Sequence, residues 1–280
     1  LAESRFSKAE SVNEEMGMAA GFKSGFLAAT LAALVLSGGA AQAARCGKDG
    51  GGFEAWKAAF ADEARAAGVG RGGLSALAGA RYASATIKAD RAVRKAFSGS
   101  VDSFMQRRGA STIISKGRSL KKSNAALFDR IERQYGVPPG VLLAIWGMET
   151  GFGSYMGKQN TVSAIVTLAY DCRRPDFFRP HALAALKLVD SGALTASSVG
   201  AMHGEIGHTQ FLPGNVVKYG VGNKNLRDRE TALISTANFL RSHGWKPGAS
   251  YDANMGAIAG WNSARVYQQA IAIMAREIDK

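Results

Sequence analysis

Pro138-Pro139-Gly140-Val141-Leu142-Leu143-Ala144-Ile145-Trp146-Gly147-Met148-Glu149-Thr150-Gly151 decides how this chain is read. Proline suits the first turn of a helix, so Pro138 and Pro139 mark a start. Gly151 marks a stop. Between them runs an apolar helix long enough to enter a core. Leu142, Ile145 and Glu149 stand at i, i+3 and i+7 and share a face. Glu149 is therefore expected on the buried side, in the last turn. Apolar neighbours disfavour its charged form. The negative end of the helix dipole does the same. A carboxylic acid that keeps its proton near neutral pH can protonate a leaving-group oxygen. The other reading is a structural glutamate, paired with an arginine or with backbone N–H groups. Asp129, Glu132, Asp171 and Asp176 are the nearest acids, none of them in the same helix. No second carboxylate is evident.

Outward from this segment the chain reads as mainly α. Proline is scarce, and apolar residues recur at three- and four-residue spacing. Phe53, Trp56, Phe60 and Ala64 mark one helix, with Gly68 as its stop. Leu74 to Ala78 fits a short second one. A basic segment from Lys88 to Arg108 carries Val93, Phe97, Val101, Phe104 and Met105. Leu127, Phe128, Ile131 and Tyr135 give Ala125 to Tyr135 one apolar face. Ala182 to Asp190, Thr231 to Ser242 and Ala264 to Glu277 complete the helices. No alternating strand longer than a few residues, no repeat and no low-complexity tract is evident. A break near residues 110–125 suggests an N-terminal helical lobe over 44–124 and a core over 125–280.

The N-terminus reads as a targeting segment. From Met18, Lys23 supplies a positive region and Gly25 to Leu36 a short apolar one. Ala41-Gln42-Ala43 is a small-residue cleavage site. The apolar stretch is short for a membrane span, and Arg45 does not suit lipid attachment at Cys46. A periplasmic protein without a stable membrane anchor is expected, with residues 1–17 an upstream extension. The whole chain carries a formal charge of +13. Removing residues 1–43 takes away three basic and four acidic residues and raises this to +14. That balance favours an anionic partner: nucleic acid, an acidic membrane surface or an acidic polymer. Export and the lack of a reading motif count against nucleic acid. Cys46 and Cys172 could pair in an oxidising compartment. No spacing suggests zinc, and Gly220 to Asp228 lacks the acidic ladder that calcium needs, so neither metal nor cofactor is expected.

Several motifs stand in one order: Tyr135-Gly-Val-Pro-Pro-Gly140, Ile145-Trp-Gly-Met-Glu149-Thr-Gly-Phe-Gly153, Leu168-Ala-Tyr-Asp-Cys-Arg-Arg174, Gly204-Glu-Ile-Gly-His-Thr-Gln-Phe-Leu-Pro213, Ala237-Asn-Phe-Leu-Arg-Ser-His-Gly-Trp245 and Trp261-Asn262. Together they resemble the lytic murein transglycosylases of the membrane-bound B type, over most of residues 53–280. The resemblance implies a lysozyme-like fold with an accessory N-terminal helical lobe. It also implies cleavage of the β-1,4 bond between N-acetylmuramic acid and N-acetylglucosamine in peptidoglycan. In that family one acid protonates the glycosidic oxygen, and the muramyl C6 hydroxyl attacks in place of water. A one-carboxylate scheme fits the missing partner better than two-carboxylate glycosidase chemistry.

By the same resemblance Glu149 is the acid/base and Gln210 hydrogen-bonds the sugar. Arg173 and Arg174 line the cleft and suit stem-peptide carboxylates. Asn262 and Tyr267 fall on further substrate-binding positions. Trp261 replaces a family tyrosine, losing a hydroxyl but keeping a stacking face. His208 departs from the family's small or amide residues. A monomer is expected, with glycan strands as its partner. The competing classes are a hydrolytic muramidase and a non-catalytic wall-binding scaffold.

Overall fold

In a computed structural model of the chain, residues 45–92 and 97–280 are described. The leader at 1–43 and Val93 therefore lie outside the described residues. The rest is helical apart from one pair of two-residue strands.

At the centre is α7 (Pro139–Thr150), the helix of the opening motif. Pro138 precedes it in extended conformation, and Gly151 closes it with φ 57°. The amides of Gly151 and Phe152 return to the carbonyls of Gly147 and Trp146, which satisfies two otherwise orphaned acceptors. The expectation of one buried face is corrected here. Every residue from Pro139 to Gly147 is buried, because helices stand on several sides of α7. These are α5 (Ala110–Ser123), α6 (Ala125–Tyr135), α11 (Arg229–Ser242) and α13 (Arg265–Asp279). The approach of α5 needs Gly147: a Cβ there would lie 2.5 Å from Ile113 Cγ2. Leu142, Leu143 and Ile145 are fully buried in this layer with Ile131, Leu240 and Ile271. Burying each such side chain contributes about 1.5–3 kcal/mol.

A second core joins the N-terminal helices α1 (Phe53–Ala66), α2 (Arg71–Gly79) and α3 (Ser84–Ala92) to α8 (Thr161–Tyr170) and α9 (Pro175–Asp190). Phe53, Trp56 and Tyr82 meet the Tyr170 ring edge-on. The chain before α1 is fastened to this layer. Gly47 N–H donates to Tyr170 O, Cys172 N–H donates to Gly47 O, and Cys46 and Cys172 form a disulfide with Cα atoms 4.9 Å apart.

The expected continuous segment from Lys88 to Arg108 is broken. α3 ends at Ala92, and α4 (Val101–Arg107) starts after Gly99, with Ser100 Oγ accepting from Ser103 N–H as its cap. Both α4 and α5 pack on α13, and α5 also on α7. Residue 124 is therefore no boundary between separate cores: helices on either side of it share one.

Four helices had no expectation, and α5, which falls where a break was expected, is the first of them. α8 is buried at every position and so shows no helical stripe. α10 (Pro213–Tyr219) and α12 (Met255–Trp261) are seven residues each. α9 starts seven residues earlier than Ala182, because Pro175 sits at its first turn and Pro180 is carried inside it. The strands β1 (Gln159–Asn160) and β2 (Val199–Gly200) pair antiparallel and bring the loop after α7 beside residues 201–211. No helix among the described residues is long and apolar enough to cross a membrane.

Candidate active site

The C-terminal end of α7 opens on a cleft of ≈ 430 Å³ whose walls include Glu149, Glu205, Gln210, Asn215, Trp261 and Asn262. Glu149 keeps a part-exposed edge on this cleft, while protein crowds its carboxyl elsewhere. Two donors reach one of its oxygens. Tyr267 O–H donates to Oε1 at 2.7 Å, and Trp261 Nε1–H donates to the same atom at 3.2 Å. Among the described residues no hydrogen bond reaches Oε2. Burial pushes the Glu149 pKa up. The Tyr267 and Trp261 donors pull it down, the Glu205 charge raises it, and Arg108 lowers it. Burial prevails, and the carboxyl stays above its ordinary value.

α12 and α13 supply these donors. α12 ends at Trp261, and Asn262 turns the chain, its Oδ1 accepting from Ala264 N–H at 2.9 Å. The next helix brings Tyr267 back under Glu149. Tyr267 is 3% exposed. It is a floor beneath the acid rather than a cleft surface, and burial followed by the Glu149 charge pushes its phenol far above the usual range. Trp261 likewise spends its N–H on Glu149. Its ring lies edge-on to Phe211 and Phe239, with centroids 5.0 and 5.1 Å away.

The opposite wall is the turn Gly204–Phe211, closed by paired hydrogen bonds between Ile206 and Phe211. Gln210 holds a left-handed φ of 56°, and its Nε2 donates to Gly207 O at 2.7 Å. That leaves its amide oxygen free of protein donors among the described residues. His208 locks this turn to the end of α7. Its Nδ1 accepts from Trp146 Nε1–H at 3.1 Å, and its carbonyl accepts from Thr150 Oγ1–H at 2.7 Å. A Cβ on Gly153, at φ 81°, would lie 2.3 Å from the His208 ring, so glycine is required there. Burial lowers the His208 pKa, which agrees with a neutral acceptor nitrogen.

Arg173 and Arg174 are placed differently from the cleft-lining role expected of them. Neither lines the cleft around Glu149. Both grip Asp90, which is 3% exposed, while they stay 41% and 43% exposed. Arg173 Nε–H and an Arg174 terminal N–H donate to the two Asp90 oxygens, each at 2.5 Å. Burial raises the Asp90 pKa, but the two guanidiniums outweigh it and hold the carboxyl below its ordinary value.

Glu205 had no assigned role. It sits inside the glutamine motif and faces the same cleft as Glu149. Its oxygens accept from His203 N–H at 2.9 Å and meet His203 Nδ1 at 3.1 Å. The only sequence signal was a lone acid in the segment 204–213. No group of three or more His, Cys, Asp or Glu among the described residues is placed to hold a metal ion.

Against known proteins, a family model described as transglycosylase SLT domain matches residues 52–255. Membrane-bound lytic murein transglycosylase B of Escherichia coli (strain K12) is 33% identical over 127 residues, covering 43% of this chain and 35% of that protein. The match thus spans about a third of the length of that curated relative. SltB3 from Pseudomonas aeruginosa, solved in complex with NAG-anhNAM-pentapeptide, superposes with a TM-score of 0.73 at 25% identity. That match covers 81% of this chain and 79% of SltB3. The Escherichia coli lytic transglycosylase Slt35, in complex with bulgecin A, gives a TM-score of 0.72 at 19% identity over 84% of this chain and 96% of its own. The latter is a likeness of fold.

Proposed function

Because the chain belongs to the transglycosylase SLT domain family, matched over residues 52–255, we propose that it is an exported peptidoglycan lytic transglycosylase. It cleaves the β-1,4 bond between N-acetylmuramic acid and N-acetylglucosamine without water. The observation that carries this reading is the Glu149 carboxyl. It is desolvated, anchored through Oε1 by Tyr267 and Trp261, and opens on the cleft.

In the proposed reaction Glu149 Oε2–H protonates the glycosidic oxygen as the bond to the muramyl anomeric carbon breaks. The N-acetylglucosamine-bearing portion leaves with that proton as its hydroxyl. The Glu149 carboxylate then takes the proton of the muramyl C6 hydroxyl as its oxygen bonds to the anomeric carbon. The product is a 1,6-anhydromuramyl end, and the acid is restored. Tyr267 and Trp261 stabilise the carboxylate between the two steps. The free Gln210 oxygen and the Asn262 amide offer an acceptor and donors for sugar N-acetyl and hydroxyl groups. Arg173 and Arg174, anchored on Asp90 and half exposed, keep spare N–H donors for stem-peptide carboxylates.

A hydrolytic muramidase is the second reading, and the presence of Glu205 in the cleft favours it. Both Glu205 oxygens are engaged by His203, which weighs against a free water-activating base. Mass analysis of products from purified sacculi separates the two readings. Anhydromuramyl ends are expected, whereas free reducing ends would sink the lytic assignment. Glu149→Gln should lower the rate by at least the roughly 10²–10⁴-fold that a lost general acid costs. Undiminished digestion would remove Glu149 from its role.

A further inference from the structure

We propose that Glu205, clamped by His203, is a positioning residue for the glycosidic cleavage: an electrostatic partner whose negative charge keeps the proton on Glu149 until the sugar oxygen takes it. This deepens the reading above and rests on Glu149 being the acid.

The geometry makes a purely structural role a poor account of Glu205. Among the described residues its two oxygens meet only His203, through the backbone N–H and Nδ1. A neutral amide could engage the same residue without placing a second negative charge on the wall that faces Glu149. Carboxylates sharing one site disfavour joint ionisation, so a fixed charge on one retains the proton on the other. The charged and titratable groups around Glu149 divide accordingly. Tyr267 of α13 and Trp261 of α12 donate to it, and Arg108 at the end of α4 favours its ionised form. Glu205 is the acidic group opposing that ionisation.

His203 links Glu205 to a second carboxylate. It stands between Glu205 and the buried Asp90, with Nε2 3.6 Å from Asp90 Oδ1. Asp90 is in turn held by Arg173 and Arg174. Burial lowers the His203 pKa, but the two carboxylates outweigh it and raise it overall. The two carboxylates thus favour the charged form of the histidine between them. As pH rises and His203 loses its proton, Glu205 stands less compensated. Its hold on the Glu149 proton then strengthens, just where that proton would otherwise be lost.

The test is the pH profile of sacculus digestion by wild type, Glu205→Gln and Glu205→Asp, with thermal melting to establish that each variant folds. The acid form of Glu149 is lost as pH rises through its pKa, so Glu149 governs the alkaline limb. Glu205→Gln removes the opposing charge, and the alkaline limb moves to lower pH. Its activity loss at neutral pH stays below the roughly 10²–10⁴-fold cost of deleting a general acid. Glu205→Asp keeps the charge and holds the limb near the wild-type position. An unmoved limb in a folded Glu205→Gln, or an equal shift in both variants, overturns the proposal. Loss of free reducing ends in Glu205→Gln overturns it differently, since Glu205 would then be a water-activating base. Failure of the proposed function has its own signature: an active Glu149→Gln, or no anhydromuramyl product from wild type.

Discussion

Glu149 and Asp90 are both acids sunk into helical surroundings, and they are pushed in opposite directions. At the end of α7 the neighbours are a phenol, an indole N–H and a second carboxylate, and burial wins. On α3 the neighbours are two guanidiniums, and burial loses. One carboxyl is therefore pushed toward its protonated form and the other toward its charged form. The first environment disfavours the charged form of Glu149, at a cost in stability. The second fastens α3 to the segment 171–174 and stabilises. Environments that drive two acids apart are how a fold separates an acid with chemical work from one with structural work.

The structural side should give the largest effects. The Cys46–Cys172 bond closes 126 residues of sequence and ties the start of the described chain to the segment that carries Arg173 and Arg174. Replacing both cysteines with serine should cost about 2–4 kcal/mol by restoring freedom to the unfolded chain. Melting of wild type with and without reductant, beside the double variant, measures it. Next is the double change Arg173→Ala and Arg174→Ala, which leaves Asp90 buried without a counter-charge. Breaking a buried pair costs about 3–5 kcal/mol, and the half-exposed guanidiniums bring the expectation nearer 2–3 kcal/mol. The sign with pH is fixed by the depressed Asp90 pKa. This stabilisation is complete above the unfolded aspartate value of about 3.9 and disappears as pH falls through the folded one. Denaturant midpoints of the two proteins should therefore converge in acid. Persistence of the gap there would detach it from Asp90.

On the Glu149 side, Tyr267→Phe removes the 2.7 Å donor to Glu149 Oε1. That donor stabilises the carboxylate, so its loss raises the Glu149 pKa further, and the alkaline limb of activity moves to higher pH. This is opposite to the shift expected of Glu205→Gln. The loss of one buried hydrogen bond costs about 1 kcal/mol of stability. A limb that stays in place in Tyr267→Phe would mean that the phenol only fills space.

How much of this was legible in the sequence follows from how far apart the partners lie. α7 could be read locally, because its prolines, apolar run and terminal glycine are contiguous. α6 and α13 could be read from their single apolar stripes. α8 could not, since burial on all sides erases the period that identifies a helix. The break between α3 and α4 turned on Gly99 and Ser100, whose turn and cap signals a basic amphipathic pattern masked. Glu149, Gln210, Trp261 and Asn262, expected in one site, line one cleft. The partners of Arg173 and Arg174 were missed because Asp90 lies more than 80 residues earlier. Glu205 was passed over for a related reason. Its neighbour His203 is local, but its nearness to Glu149 exists only once β1 and β2 pair and His208 docks on α7.

The smallest effect sharpens the contrast most, because its sign is unusual for a change in a buried active site. Glu149→Gln should stabilise the protein at neutral pH. Burial raises the folded pKa of Glu149 above its unfolded value. Between those two values the folded state binds more protons than the unfolded one, so stability falls as pH rises through the window. Above the window both states are ionised, and wild type bears the full cost of ionising the buried carboxyl. Glutamine never ionises, and its amide oxygen can still accept from Tyr267 and Trp261. The variant should therefore melt higher than wild type at neutral pH, by roughly 2–4 °C for each kcal/mol recovered. The difference should shrink as pH drops below the unfolded glutamate value of about 4.3. Arg173→Ala with Arg174→Ala gives the mirror image: a loss that is present at neutral pH and vanishes in acid. If Glu149→Gln melts lower than wild type at neutral pH, the carboxyl is being held ionised by its neighbours. Glu149 and Asp90 would then be acids of one kind, and the α7 end would lose its claim to be the reactive site.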